Sequence, residues 1–113
     1  MKFTVPAKKN YEFRRAYSKG KSAATPRMVM YVRKNKTDGN KFGITVSTKL
    51  GKAVVRNRLK RRFREIYRLN ETKLSVGYDI IMVARMKSVD ADFSRLENDF
   101  LCLAGKLGVL CGD

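Results

Sequence analysis

The stretch Lys49-Leu-Gly-Lys-Ala-Val-Val-Arg-Asn-Arg-Leu-Lys-Arg-Arg-Phe-Arg-Glu-Ile-Tyr-Arg68 holds nine Lys or Arg and a single acid, Glu65. Its apolar residues nevertheless keep register. Val55, Leu59, Phe63 and Ile66 recur at i, i+4, i+8 and i+11, one stripe of an α-helix over about residues 52–69. Asn57, Lys60, Arg61, Arg64 and Arg68 fall on the opposite side of the wheel, and Arg56 and Arg58 lie nearer its flanks. The segment therefore reads as a folded helix with one face in a core and one face built to meet an anion. So many cations with one acid leave few i, i+4 partners, and a merely solvated helix of this kind would repel itself. The length of the basic face suits a polyanion better than a small ligand.

Outward from this helix the pattern changes period. Upstream, Phe42–Thr48 alternates Phe42, Ile44 and Val46 with Gly43, Thr45 and Ser47, a strand that Gly51 ends. Residues 34–40 carry an Asp-Gly turn signal and predict a hairpin back to a strand at Met28–Arg33. Residues 21–26 read as a loop. Tyr11–Ser18 reads as a short helix capped by Asn10 and stopped at Gly20. Downstream, Asn70–Gly77 is a loop and Tyr78–Ala84 a buried apolar strand. Asp90 is expected to cap a last helix to about Lys106, with Phe93, Leu96, Phe100, Leu103 and Leu107 on one stripe. The order αββαβα implies an α+β fold: one domain over 1–113, a two-layer sandwich with a mixed sheet of about four strands and helices mainly on one face.

The chain has 113 residues and a net charge of +16. That charge opposes compaction unless an anion offsets it, and nucleic acid is the leading partner. No apolar run is long enough for a membrane span or a signal peptide, so a cytoplasmic protein is expected. There is no histidine, so the commonest general base is missing, and there is no nucleophile elbow or P-loop. No catalytic side chain and no protein-held metal are expected. Asp90 and Asp92 read as helix-start residues. Cys102 and Cys111 read as buried or incidental thiols in a reducing cytosol. DNA recognition is disfavoured, because the helix is too uniformly cationic for base readout.

Phe13, Tyr17 and Tyr31 form an aromatic set that would stack unpaired bases beside a basic groove, or else fill core. Tyr31 shares a strand face with Val29. Thr45 and Ser47 are small and polar and, on a strand expected beside it, would leave a shallow trough.

The run Lys52-Ala-Val-Val-Arg-Asn-Arg-Leu-Lys-Arg-Arg-Phe-Arg64 resembles the Arg-Asn-Arg signature of the bacterial ribonuclease P protein family. Phe42–Gly51 resembles the strand before that signature. Lys9–Phe13 with Tyr17 and Gly20 resembles the family's first helix, and Tyr78–Arg85 its last strand. The resemblance covers about residues 9–105. It implies a subunit of an RNA-based endonuclease that removes the 5′ leader from precursor tRNA, with Mg²⁺ held mainly by the RNA and the protein alone inactive. It maps catalytic-RNA contacts to Arg56, Asn57, Arg58, Lys60, Arg61, Arg64 and Arg68. It maps a leader-binding cleft to Phe13, Tyr17, Val29, Tyr31 and Thr45. It also implies a left-handed βαβ crossover. A ribosomal or other structural RNA-binding protein is the alternative.

Overall fold

The computed structural model describes residues 3–7 and 10–110. Among them the chain runs β1 (Thr4–Pro6), α1 (Asn10–Lys19), β2 (Lys21–Ala24), β3 (Met28–Lys34), β4 (Asn40–Thr45), α2 (Ala53–Asn70), β5 (Tyr78–Ala84) and α3 (Phe93–Lys106). The fold is α+β, as expected, with a mixed sheet of five strands in the order β1-β4-β5-β3-β2. β4 and β5 run parallel and are joined through α2, while β5 and β3 are antiparallel.

Strand alternation sorts the sheet into two faces. Met28, Met30, Val32, Phe42, Ile80, Met82 and Ala84 point to one side. There they form the core with Leu59, Phe63, Ile66 and Tyr67 of α2 and with Leu96, Phe100 and Leu103 of α3. The predicted stripe of α2 is thus the buried one, except that Val55 is only half-buried and Tyr67 and Asn70 extend it. The other face carries Val29, Tyr31, Gly43, Thr45, Ile81 and Val83, and α1 lies on it. Placing helices mainly on one face therefore holds for α2 and α3 and not for α1.

Four local expectations need correction. Residues 34–40 do not close a hairpin: β5 inserts between β3 and β4. The Asp38-Gly39 signal is local and says nothing about a strand that arrives forty residues later. Instead Asn35 organises the turn, accepting from the Thr37 amide and donating to Asp79. Residues 21–24 are not loop but edge strand β2, paired with β3. β4 ends at Thr45, and a 3-10 turn at Thr48–Leu50 leads to α2. Finally, α3 is capped by Asp92, whose carboxylate accepts from the Arg95 amide at 2.9 Å. Asp90 lies before it, after a 3-10 turn at Met86–Ser88.

The first strand is clasped at its edge by polar groups. Thr4 Oγ1 and the Tyr67 hydroxyl are 2.8 Å apart, and Asn40 Nδ2 donates to that hydroxyl at 3.3 Å and to Ser75 O at 3.0 Å. Tyr67 also stacks on Phe42, with ring centroids 4.1 Å apart. The Asn10 side chain and Cys111 fall outside the described residues. Cys102 is exposed, which removes the buried reading for it.

Candidate nucleic-acid interface

Two features meet on one side of the molecule. The first is the outer surface of α2. Gly51, at φ 145°, turns the chain out of the 3-10 turn, and a side chain there would press on Val55. Such a φ is open to glycine and strained for other residues. The Gly51 carbonyl accepts from Arg56 Nε at 3.2 Å. No side chain caps the first turn of α2, and no acid sits in it. Its leading N–H groups and the cations beside them therefore favour an anion.

The nine cations of residues 49–68 are not equivalent. Arg62 turns inward to the fold, donating to Ala91 O at 3.1 Å. Arg68 pairs with Glu65, which keeps the Glu65 carboxyl below its usual range. Among the described residues, Arg58, Lys60, Arg61 and Arg64 make no ion pair. Asn57, Arg58 and Arg61 are exposed.

The second feature is a trough between α1 and the sheet. Glu12 anchors α1 from below, its carboxylate 2.5 Å from Lys41 Nζ on β4. The next residue, Phe13, packs its ring against Gly43. A Cβ at that position would come within 2.7 Å of the Phe13 ring and 2.8 Å of Ile81, so the glycine is what lets α1 approach. Tyr17 then reaches over the sheet, its ring edge-on to Tyr31 at 4.8 Å and its hydroxyl 3.0 Å from Thr45 Oγ1.

The structure thus brings Phe13, Tyr17, Tyr31 and Thr45 together, by a different route from the expected one. Thr45 and Tyr31 are not on neighbouring strands. β5 separates them, with Thr45 beside Val83 and Val83 beside Val29. Tyr17 on α1 spans the gap. Ser47, beyond the end of β4, contributes to the 3-10 turn instead, accepting from the Lys49 amide. Tyr17 is exposed, and Val29 and Tyr31 are half-buried. The aromatics are therefore partly available as a platform and are not closed into the core.

Lys60 connects the two features. It lines one cleft with Phe13, Tyr17 and Thr45, and a second one, of 290 Å³, with Pro6, Ala7, Phe42 and Arg64. Phe13, Ile44 and Lys60 line both, so the two clefts adjoin, with cations on one bank. Sequence reasoning missed Pro6, Ala7, Ile44 and Val46 as lining residues. No local pattern marks Pro6 and Ala7, because β1 reaches this edge only through parallel pairing with β4, and the alternation of Ile44 and Val46 marks a strand face without saying that it lines a cleft. Among the described residues no three His, Cys, Asp or Glu side chains gather in a way that could hold a metal ion. None of the helices described is long and apolar enough to cross a membrane.

Comparison with known proteins yields one family. A family model described as Ribonuclease P matches residues 1–108. A ribonuclease P protein component from Thermoanaerobacter sp. (strain X514) is 45% identical over 109 residues, covering 96% of this chain and 94% of the relative. The solved ribonuclease P protein of Staphylococcus aureus superposes with a TM-score of 0.85 at 36% identity, over 92% of this chain and 95% of that one. That of Thermotoga maritima gives a TM-score of 0.74 at 36% identity, over 80% and 86%.

Proposed function

This chain belongs to the bacterial ribonuclease P protein family, and from that premise we propose how its surfaces share the work of the enzyme. It serves as the protein subunit of the ribonuclease P ribonucleoprotein, in tRNA 5′ maturation. The outer face of α2 binds the catalytic RNA through Arg56, Asn57, Arg58, Lys60, Arg61, Arg64 and Arg68. The trough of Phe13, Tyr17, Val29, Tyr31 and Thr45 takes the single-stranded 5′ leader of precursor tRNA.

One observation carries this reading: Lys60 stands on the basic helix and also lines the aromatic trough. A strand lying on Tyr17 and Tyr31 would stack bases on rings while its phosphates face Lys60 and Arg64. This combination of aromatic platform and cationic bank suits unpaired nucleic acid. A general structural RNA-binding module has no need of it. Among the described residues no group of three His, Cys, Asp or Glu side chains could hold a metal ion. In this reading Mg²⁺ is held by the RNA and supplies the charge stabilisation at the scissile phosphate. The protein raises affinity for substrate over product, because the mature tRNA has no leader to place in the trough.

The test compares the affinity of the assembled enzyme for tRNA with and without a leader of several nucleotides, with and without the protein. The protein should strengthen binding of the leader-bearing form selectively. Equal strengthening of both forms would remove the leader from the account.

A further inference from the structure

We propose that the β2–β3 edge of the sheet is a second phosphate-binding surface, holding an RNA segment other than the one on α2. Lys19 ends α1, Lys21 opens β2, and Arg33 and Lys34 close β3. The fold gathers these four around a groove of 340 Å³ beside Tyr78. They come from three elements and form no run in the sequence.

The cluster has little internal compensation. Among the described residues one acid meets it: Asp79, 3.5 Å from Arg33 and also hydrogen-bonded by Asn35. Lys19, Lys21 and Lys34 take part in no ion pair there. A helix C-terminus attracts a cation, which accounts for Lys19 in the last turn of α1. It does not account for Lys21 and Lys34, which stand on strands. Like charges around one groove repel unless an outside anion relieves them.

This patch is electrically separate from α2. Lys60 and Arg64 border β4, whereas Lys21 lies on β2, with β5 and β3 between. Three interstrand steps of about 4.8 Å give a separation of roughly 14 Å. The screening length at physiological ionic strength is about 8 Å. The two surfaces therefore attract polyanion independently, and the protein can hold two RNA segments at once. Three of the four cations are lysines, compact point charges without the planar fork that reads bases. The partner is thus a phosphate backbone in any sequence. A lipid surface fits poorly, since none of the exposed large apolar residues lines this groove.

The experiment uses the full chain and the reconstituted enzyme. A Lys19→Ala/Lys21→Ala/Lys34→Ala variant is compared with the native chain for binding to the catalytic RNA and, once assembled, to precursor tRNA, across a salt series. All three side chains are exposed, and the thermal midpoint should hold. The slope of log K against log salt should fall by about 2–3 for one of the two RNAs, at about 0.9 per lost phosphate contact. Replacing the same lysines with Arg should restore it. A variant of Arg58, Arg61 and Arg64 run alongside reports on α2, so the two surfaces can fail separately. An unchanged slope with both RNAs in the folded variant would overturn the proposal and leave an acidic protein, or solvent alone, against this edge.

Discussion

The Tyr17 hydroxyl lies 3.0 Å from Thr45 Oγ1, a hydrogen bond that links α1 to β4 at the open part of the sheet, away from the Glu12–Lys41 pair. It is exposed to solvent, and its loss should cost little stability. Tyr17→Phe should keep the ring against Tyr31 and leave unfolding nearly unchanged, within about 1 kcal/mol for an ordinary hydrogen bond. Tyr17→Ala should in addition weaken binding of leader-bearing tRNA by about 1–3 kcal/mol, the worth of one stacked base. Leader binding that survives Tyr17→Ala intact would move the platform elsewhere.

Gly43 sets how closely α1 approaches. Gly43→Ala forces the new methyl against Phe13 and Ile81. Overpacking of this kind costs about 1–3 kcal/mol. The shift of Phe13 should also lower affinity for the leader, while affinity for the catalytic RNA is retained. Paired binding curves for the two RNAs check this.

Core and interface separate along α2. Phe63→Ala should destabilise the fold by about 3–5 kcal/mol and Leu59→Ala by about 2–5 kcal/mol, because both side chains are fully buried. Arg58, Arg61 and Arg64 replaced together by Ala should leave the thermal midpoint in place and flatten the salt dependence of catalytic-RNA binding by about 2–3 in slope. Arg62 should behave differently, since its guanidinium holds Ala91 O: Arg62→Ala should lower stability more than it lowers the salt slope.

Alkaline pH should expose two dependencies, one at the partly exposed Lys41 and one at the buried Tyr67. The hydrogen bond to Glu12 holds Lys41 protonated above the ordinary lysine value of 10.5. Burial raises the Tyr67 phenol above its ordinary 10.0. In both cases the folded value exceeds the unfolded one. The associated stability is therefore fully present below about pH 10 and is lost as pH rises through the folded values. Tyr67→Phe should flatten the alkaline fall of the unfolding midpoint between pH 9 and 11, measured against the native chain, at some cost to stability near neutrality from the lost bond to Thr4.

What could be read from the sequence followed the range of each signal. The stripe of α2 is a property of one helix, and Leu59, Phe63 and Ile66 are buried as their spacing predicts. The alternation at β3 and β4 and the continuous apolar run at β5 are equally local. Strand order is not: the turn residues at 34–40 signal a reversal, yet only the burial of Ile80, Ile81 and Met82 on both faces decides that β5 takes the centre. Edge strands β1 and β2 span three and four residues, too short for a period to register. The trough was legible as a set of residue types, because Phe13, Tyr17 and Tyr31 are aromatic. Its lining by Pro6 and Ala7 depends on a parallel pairing across thirty-odd residues, which no short window records.

The place of β5 has a consequence for how the chain is made. The strand at the centre of the sheet is the last of the five to be synthesised, and it joins β4 to β3. Until Tyr78–Ala84 has left the ribosome, β2 and β3 can pair as a hairpin, and β1 can lie along β4. Without β5 no strand pairing joins the two halves, and α1 spans them only through contacts such as Tyr17 with Tyr31 and Thr45. The basic helix is therefore complete before the sheet can close, and assembly of the sheet waits on a single late segment. Nascent chains stalled before residue 78 should be open to protease throughout, and resistance should appear only once β5 and the core residues of α3 have cleared the exit tunnel.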